Sequence, residues 1–425
     1  MKNLFKVLAL VLVLVACSDF FPEKVVERNG PPVNPSGGLP EKAVLDEKAC
    51  AYGELADKDS RRQFLWNLAT KSVCPKVRDF RYNLTLLRLS AQQLCLGQPT
   101  LRDERALDLN WYGTMAAYQY LVANPMEPLR MKGANGTGLD MEIYSWPANN
   151  KHALNIELIK ASRDGDAYVM NLAPSRKGLT AVEKLVVNKE VILPPGLSGR
   201  LRPEEEAFNA LPKDQRQRAR CVVLNRMIED IGRYTETLYS EWDASQKQYP
   251  RRMLQKLVGG SAPMVLNEVS DGLFYLEKVK DFKLGLPLGL NARCLKDRCP
   301  EEIELALSGA GVEALRANFE ALRDGMIGTQ GPGFLNLVRE VGRADVANNM
   351  ENIIQGMELA LKDVELAGDL TAQLMSADKA QCNDVSSPVP LCRLFWHYKN
   401  FSVIFRSDFA TALNLNPPRS ETDND

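Results

Sequence analysis

Histidine is almost missing from this chain. His152 and His397 are the two that 425 residues hold, and they stand far apart in sequence. No two cysteines have Cys-x-x-Cys spacing, so a zinc site built from closely spaced imidazoles and thiolates has no basis here. The Gly-x-Ser-x-Gly turn of serine hydrolases is also lacking. Net charge is nearly nil, formally -1, so no global field draws the body towards nucleic acid or anionic lipid. Alternating strand runs are confined to short edges such as Ala167–Leu172, which argues against a sheet fold. Lys132–Gly138 is glycine-rich, but it has neither a preceding strand nor a Gly-Lys-Ser/Thr ending, so it reads as a turn rather than a phosphate loop.

What is present begins with a processing signal. Lys2 and Lys6 precede an apolar run, Val7–Ala16, that is too short to span a bilayer. It ends Leu14-Val15-Ala16-Cys17, which resembles a lipoprotein box. Residues 1–16 are therefore expected to be a lipoprotein signal peptide, with Cys17 the lipidated residue and the membrane a partner through that anchor. Ser18 stands where an Asp signals inner-membrane retention, which favours the outer membrane, with the body facing the periplasm. Residues 17–40, rich in proline and glycine, read as a disordered tether.

Setting Cys17 aside leaves eight cysteines, an even number suited to an oxidising compartment. Cys294–Cys299 and Cys382–Cys392 are natural local pairs, and Cys50–Cys74 with Cys95–Cys221 would complete the set. With 45% hydrophobic and 25% charged residues, the remaining length can bury one large core or two.

Most of that length has helical periodicity. Helices are expected over Arg61–Phe80, Tyr82–Leu96, Leu101–Leu121 with Thr100 as N-cap, and Lys151–Ala161. Others are expected over Asp214–Trp242, Ala262–Lys280, Pro300–Arg323 broken at Ser308-Gly309, Phe334–Val341, Asp345–Ala367 and Leu391–Leu413. The pattern predicts an all-α fold of two packed antiparallel four-helix bundles, residues 41–200 and 201–425. Trp111, Tyr112, Tyr118 and Tyr120 read chiefly as core, with a sugar-stacking platform as the alternative. His152 reads as a surface or capping residue.

The organising stretch is Ser175–Val187. Gly178 breaks the backbone, and Leu179, Val182, Leu185 and Val186 then recur at helical spacing. Thr180 and Glu183, three apart, share the adjoining face. Glu183 could serve a site between helices, or it could be an ordinary solvated or capping glutamate.

These spacings fall together with others. Ser175–Val186 resembles the Arg-Gly-Leu-x-Ala-x-Glu segment of imelysin-like lipoproteins, and Met141–Pro147 matches that family's Trp-Pro lead-in. Ala219-Arg220-Cys221 is similar to its helix start, and Asp281–Gly289 to its Lys-Leu-Gly-x-Pro-Leu-Gly connector. Ser308–Arg323 and Phe405–Leu413 also fit, so the resemblance runs from about residue 60 to the end. It implies two four-helix bundles, export, a link to iron acquisition, and a group once described as metallopeptidases. The family's Gly-x-His-x-x-Glu motif falls on Gly178, Thr180 in place of His, and Glu183. A threonine hydroxyl is a poor ligand for iron or zinc, and one carboxylate alone does not hold a catalytic ion.

The favoured reading is a non-enzymatic lipoprotein that binds a ligand or an envelope protein in a cleft between bundles, in connection with iron uptake. Gly178, Thr180, Glu183, Trp111, Tyr118 and Trp146 would line that cleft. No cofactor is fixed by the sequence; iron or another divalent metal enters only through the resemblance. The alternatives are a metallopeptidase, for which His152 and His397 would have to meet Glu183 in space, and a structural or assembly lipoprotein of the envelope. The acidic tail Ser420–Asp425 reads as a solvated end, with a calcium contact as the weaker alternative.

Overall fold

Where apolar residues recur every three to four positions, the chain forms helices that bury those stripes against one another. The computed structural model describes residues 46–416, apart from 98, 125, 132–137, 145–152, 171, 174–175, 196–199, 257–261, 329 and 378. Cys17, the tether, Trp146, His152 and the acidic tail lie outside the described residues.

The principal helices are α1 (Cys74–Cys95), α2 (Leu101–Ala123), α3 (Ala153–Asp164), α4 (Leu179–Val187), α5 (Lys213–Trp242), α6 (Ala262–Leu273), α7 (Gly311–Met326), α8 (Ala344–Ala367) and α9 (Pro390–Ile404). One group is centred on α1, which packs on both α2 and α5, with α3 and α4 against α5. It draws on both sides of residue 200, where the sequence suggests a boundary. The other group sets α8 against α9 and α7, with the connector Val279–Gly285 against α9. The seam between them is the packing of α2 on α7. One apolar core runs through both groups and includes Phe64, Trp111, Trp242, Phe319 and Phe401. The fold is all-α.

Local chemistry explains most boundaries. Thr100 caps α2: its hydroxyl accepts from the Asp103 amide at 3.2 Å, while the Thr100 amide donates to Asp103 at 3.0 Å, a capping box. The two helices expected between 61 and 96 run together as one, from Ser60 to Cys95. Pro75 would normally break such a run, because it lacks the N–H and crowds the preceding turn. Here the turns before it, Leu68–Val73, widen to a π-type pattern that accommodates it. The helix expected from Pro300 begins only at Gly311, because Leu305 and Gly309 adopt left-handed backbone, φ 57° and 70°. Ala167–Leu172, expected as an edge, forms no strand where described; an isolated antiparallel bridge joins Tyr144 and Gly178.

The eight body cysteines lie in the four expected pairs: Cys50–Cys74, Cys95–Cys221, Cys294–Cys299 and Cys382–Cys392. Among the described residues, no helix is long and apolar enough to cross a membrane.

Candidate functional site

The site is organised by α4, which is fixed at both ends. Gly178 enters it with φ 89°, and a Cβ there would come within 2.6 Å of the Ile143 carbonyl oxygen, so only glycine fits the bridge to Tyr144. Beside it, Lys177 is buried between Glu142 at 2.9 Å and Asp230 at 2.5 Å. Leu179, Val182, Leu185 and Val186 turn into the core. The Trp111 indole donates to the Leu179 carbonyl at 3.4 Å.

At the far end Arg220, fully buried, spends all its donors. Its Nε donates to the Leu185 carbonyl at 2.6 Å and its Nη2 to Val186 at 3.2 Å. Its two Nη atoms also grip Glu104 at 2.7 and 2.9 Å, and Gln217 takes the remaining bond at 3.2 Å. The last carbonyls of a helix need such donors, and the bidentate carboxylate offsets the cost of burying the guanidinium.

Facing α4 is a turn-rich wall, residues 300–310, held by two carboxylates. Glu304, on the wall, reaches the buried Lys283 ammonium at 2.8 Å. It also accepts from Gln119 at 3.1 Å and from the Tyr144 hydroxyl. Lys283 donates further to Gln119 and Asn318 at 2.8 and 2.7 Å, so this polar cluster sits on the α2–α7 seam. Burial pushes the Lys283 ammonium below its ordinary value, against the pull of Glu304.

Glu183 supplies the second hold. Its Oε1 accepts from the Ser308 amide at 3.0 Å and the Ser308 hydroxyl at 2.7 Å. The Tyr112 hydroxyl donates to the Ser308 carbonyl, and burial pushes that phenol up to about 12. Burial likewise raises the Glu183 carboxyl above its ordinary range; the Ser308 hydrogen bonds oppose the rise, and the charge of Glu304 adds to it.

Between α3, α4 and this wall lies a cavity of about 740 Å³. Leu154, Leu158, Val191, Leu193, Ile303 and Leu305 supply much of its apolar lining, and Thr180 and Glu183 are among the polar side chains that reach it. The proportions match a small-molecule site, an apolar hollow with few polar groups. A larger groove of about 1440 Å³ surrounds Cys95–Cys221. Its charges are largely paired off, Lys213 with Glu190, Arg218 with Asp214 and Arg226 with Glu229, so the smaller cavity is the stronger candidate.

The structure thus brings Gly178, Thr180 and Glu183 to one helix, the last two to one cavity. Trp111 and Tyr118 do not line it. Both are fully buried; Tyr118 packs on Phe80 and Tyr144 at 5.3 and 5.4 Å and donates to the Asp140 carbonyl at 3.0 Å. With apolar area buried and polar tips satisfied by backbone, these aromatics belong to the core. Ser308, Glu304 and Lys283 also belong to the site, and no motif in the sequence points to them. Lys283 and Glu304 have one sequence signal, a charge set inside an apolar run, as in Phe282-Lys283-Leu284 and Ile303-Glu304-Leu305; Ser308 has none.

The donor set does not fit iron or zinc. Glu183 Oε1 is engaged by Ser308, and position 180 carries a neutral hydroxyl. Among the described residues no three His, Cys, Asp or Glu side chains come together as a metal site. His397 does not line the cavity; its ring lies over Gly356, where an added Cβ would approach Cε1 to 2.3 Å.

The family model for imelysin matches residues 78–385. An imelysin-like protein from Psychrobacter arcticum 273-4 superposes with a TM-score of 0.61 at 16% identity, over 86% of this chain and 99% of that one. A candidate iron-regulated protein A precursor from Parabacteroides distasonis ATCC 8503 gives 0.56 at 12% identity, over 83% and 97%. At such identities the likeness shows the fold. No curated protein matches the sequence. By the extent of the family match, the chain belongs to the imelysin family.

Proposed function

We propose that this protein is an exported, lipid-anchored, non-catalytic imelysin that binds an apolar ligand in the cavity between α3, α4 and residues 300–307. One observation carries the reading. Glu183, the acid of the family motif, spends Oε1 on the Ser308 amide and hydroxyl, while Thr180 replaces the imidazole. A site that has given up its ion-gripping chemistry still opens onto an apolar hollow.

Export and anchoring rest on the lipoprotein box ending at Cys17, and four disulfides suit an oxidising compartment. A connection with iron uptake rests on the family and on the iron-regulated neighbour. The body would stand at the outer membrane and face the periplasm.

The test is mass spectrometry of organic extracts from the full-length protein purified from membranes, beside a Leu158→Trp variant that fills the cavity. A compound carried by the wild type and lost from the variant is expected. Identical extracts would defeat the cavity reading. A stoichiometric transition metal, lost in Glu183→Ala, would defeat its non-metal part.

A further inference from the structure

Several of the donors that line the cavity are already committed: Arg220 spends every N–H on Glu104, Gln217 and two carbonyls. The Asn155 amide donates to Glu205 at 3.0 Å, and that of Asn188 to the Ile192 carbonyl at 2.9 Å. The acceptors are in a different state. Glu183 uses Oε1 for both Ser308 bonds. Its Oε2 has no hydrogen bond among the described residues and is not sealed away from solvent. Glu302, half-buried in the same lining, has no ion pair among the described residues, whereas the neighbouring Glu301 is held by Lys296 at 2.8 Å.

A carboxylate oxygen open to an apolar hollow is costly unless something donates to it. A cation there interacts more strongly than in bulk water, because the surroundings are poorly polarisable. Lys184, one residue along α4, reaches the same lining and its charge favours the ionised Glu183, but it lies at the half-exposed edge while Glu183 is buried, so it leaves room for a second cation at the carboxylate.

We infer that the cavity selects a ligand with an apolar body and a primary ammonium group, the ammonium donating to Glu183 Oε2 with Glu302 as the outer counter-charge. This rests on the cavity-binding reading above and adds the charge of the ligand to it.

The test compares three probes that share an indole body and differ at the end of a short arm: tryptamine, tryptophol and indole-3-propionate. Each is titrated calorimetrically into the full-length chain. Tryptamine should bind about tenfold or more tighter than the propionate, one charge contact's worth of discrimination. Glu183→Gln keeps an acceptor for Ser308 and should bring that ratio close to one; Glu302→Gln should lower it partway. Leu158→Trp should weaken all three probes alike. If the three bind the wild type equally, the cavity reading stands and the charge preference is overturned. A preference that persists in both glutamine variants overturns the assignment to these carboxylates. If none binds at millimolar concentration, the cavity-binding reading fails as well.

Discussion

Replacing Glu183 separates a carboxylate that latches a wall from one kept for an ion. In Glu183→Ala the Ser308 amide and hydroxyl lose their shared acceptor, at 3.0 and 2.7 Å. The hydroxyl can fall back on the Leu305 carbonyl, 3.2 Å away, so the amide is the stranded group. An unsatisfied buried N–H costs about 1–3 kcal/mol, and bonds to an ionised acceptor are worth more than neutral ones. Ser308 is only half-buried, so water can meet part of that demand, and a loss of about 1–2 kcal/mol is expected for the alanine variant. Glu183→Gln keeps an acceptor oxygen and buries no charge, so its loss should stay below about 1 kcal/mol. The two variants should also differ in pH response. Burial raises the Glu183 carboxyl above its ordinary 4.5, so from there up to its native value the folded state holds the proton more tightly than the unfolded chain. This contribution is therefore fully present below 4.5 and is lost as pH rises through the native value. Glutamine has no such dependence, so the wild type should lose ground to Glu183→Gln as pH rises above 4.5. Urea unfolding followed by tryptophan fluorescence, without reductant, measures both effects. The latch would be refuted by an alanine variant within about 0.5 kcal/mol of wild type. A glutamine variant as unstable as alanine would refute it too.

Three further outcomes follow from the same packing. Glu104→Ala leaves the Arg220 guanidinium buried without its bidentate partner, and should cost about 3–5 kcal/mol by urea unfolding; a loss under about 1 kcal/mol would contradict the role given to Arg220 at the end of α4. Burial holds the Tyr118, Tyr144 and Tyr398 hydroxyls above their ordinary 10, so stability should be intact below pH 10 and lost as pH climbs past it. Tyrosinate absorbance and helical circular dichroism should then change in one alkaline transition; ionisation of these phenols with the helix signal intact would oppose the packing. Paired serine variants at Cys95 and Cys221, 126 residues apart, should destabilise more than those at Cys294 and Cys299, 5 apart, about 5 against about 2 kcal/mol on the chain-entropy model; equal urea midpoints would argue against loop closure as the source.

Local signals made the helices legible. Thr100 followed by Asp103 marks the start of α2, and the spacing of Trp111, Met115 and Tyr118 marks its buried face. The continuity of Ser60–Cys95 was not legible, because Pro75 reads as a stop and the widened turn that absorbs it has no signature of its own. The core placement of Trp111 and Tyr118 agrees with their periodicity, and their expected place at the cleft came from the resemblance instead. Thr180 and Glu183 could be placed on one face from spacing alone. Ser308 could not be paired with Glu183, since nothing in sequence marks an amide 125 positions away as its donor.

The two carboxylates at the wall have opposite geometry, and this bears on what Glu183 does beside a threonine. Glu304 projects from the wall to a fixed ammonium on the connector, while Glu183 projects from α4 back to the wall's own backbone. Removing either would free the same loop, whose left-handed turn at Leu305 holds only if the surroundings enforce it. An imidazole at position 180 would add a metal donor to that face; a hydroxyl leaves Glu183 to the Ser308 donors and to whatever enters the hollow. The Glu183 carboxylate is thus needed by the Ser308 donors of the wall whether or not an ion ever binds there.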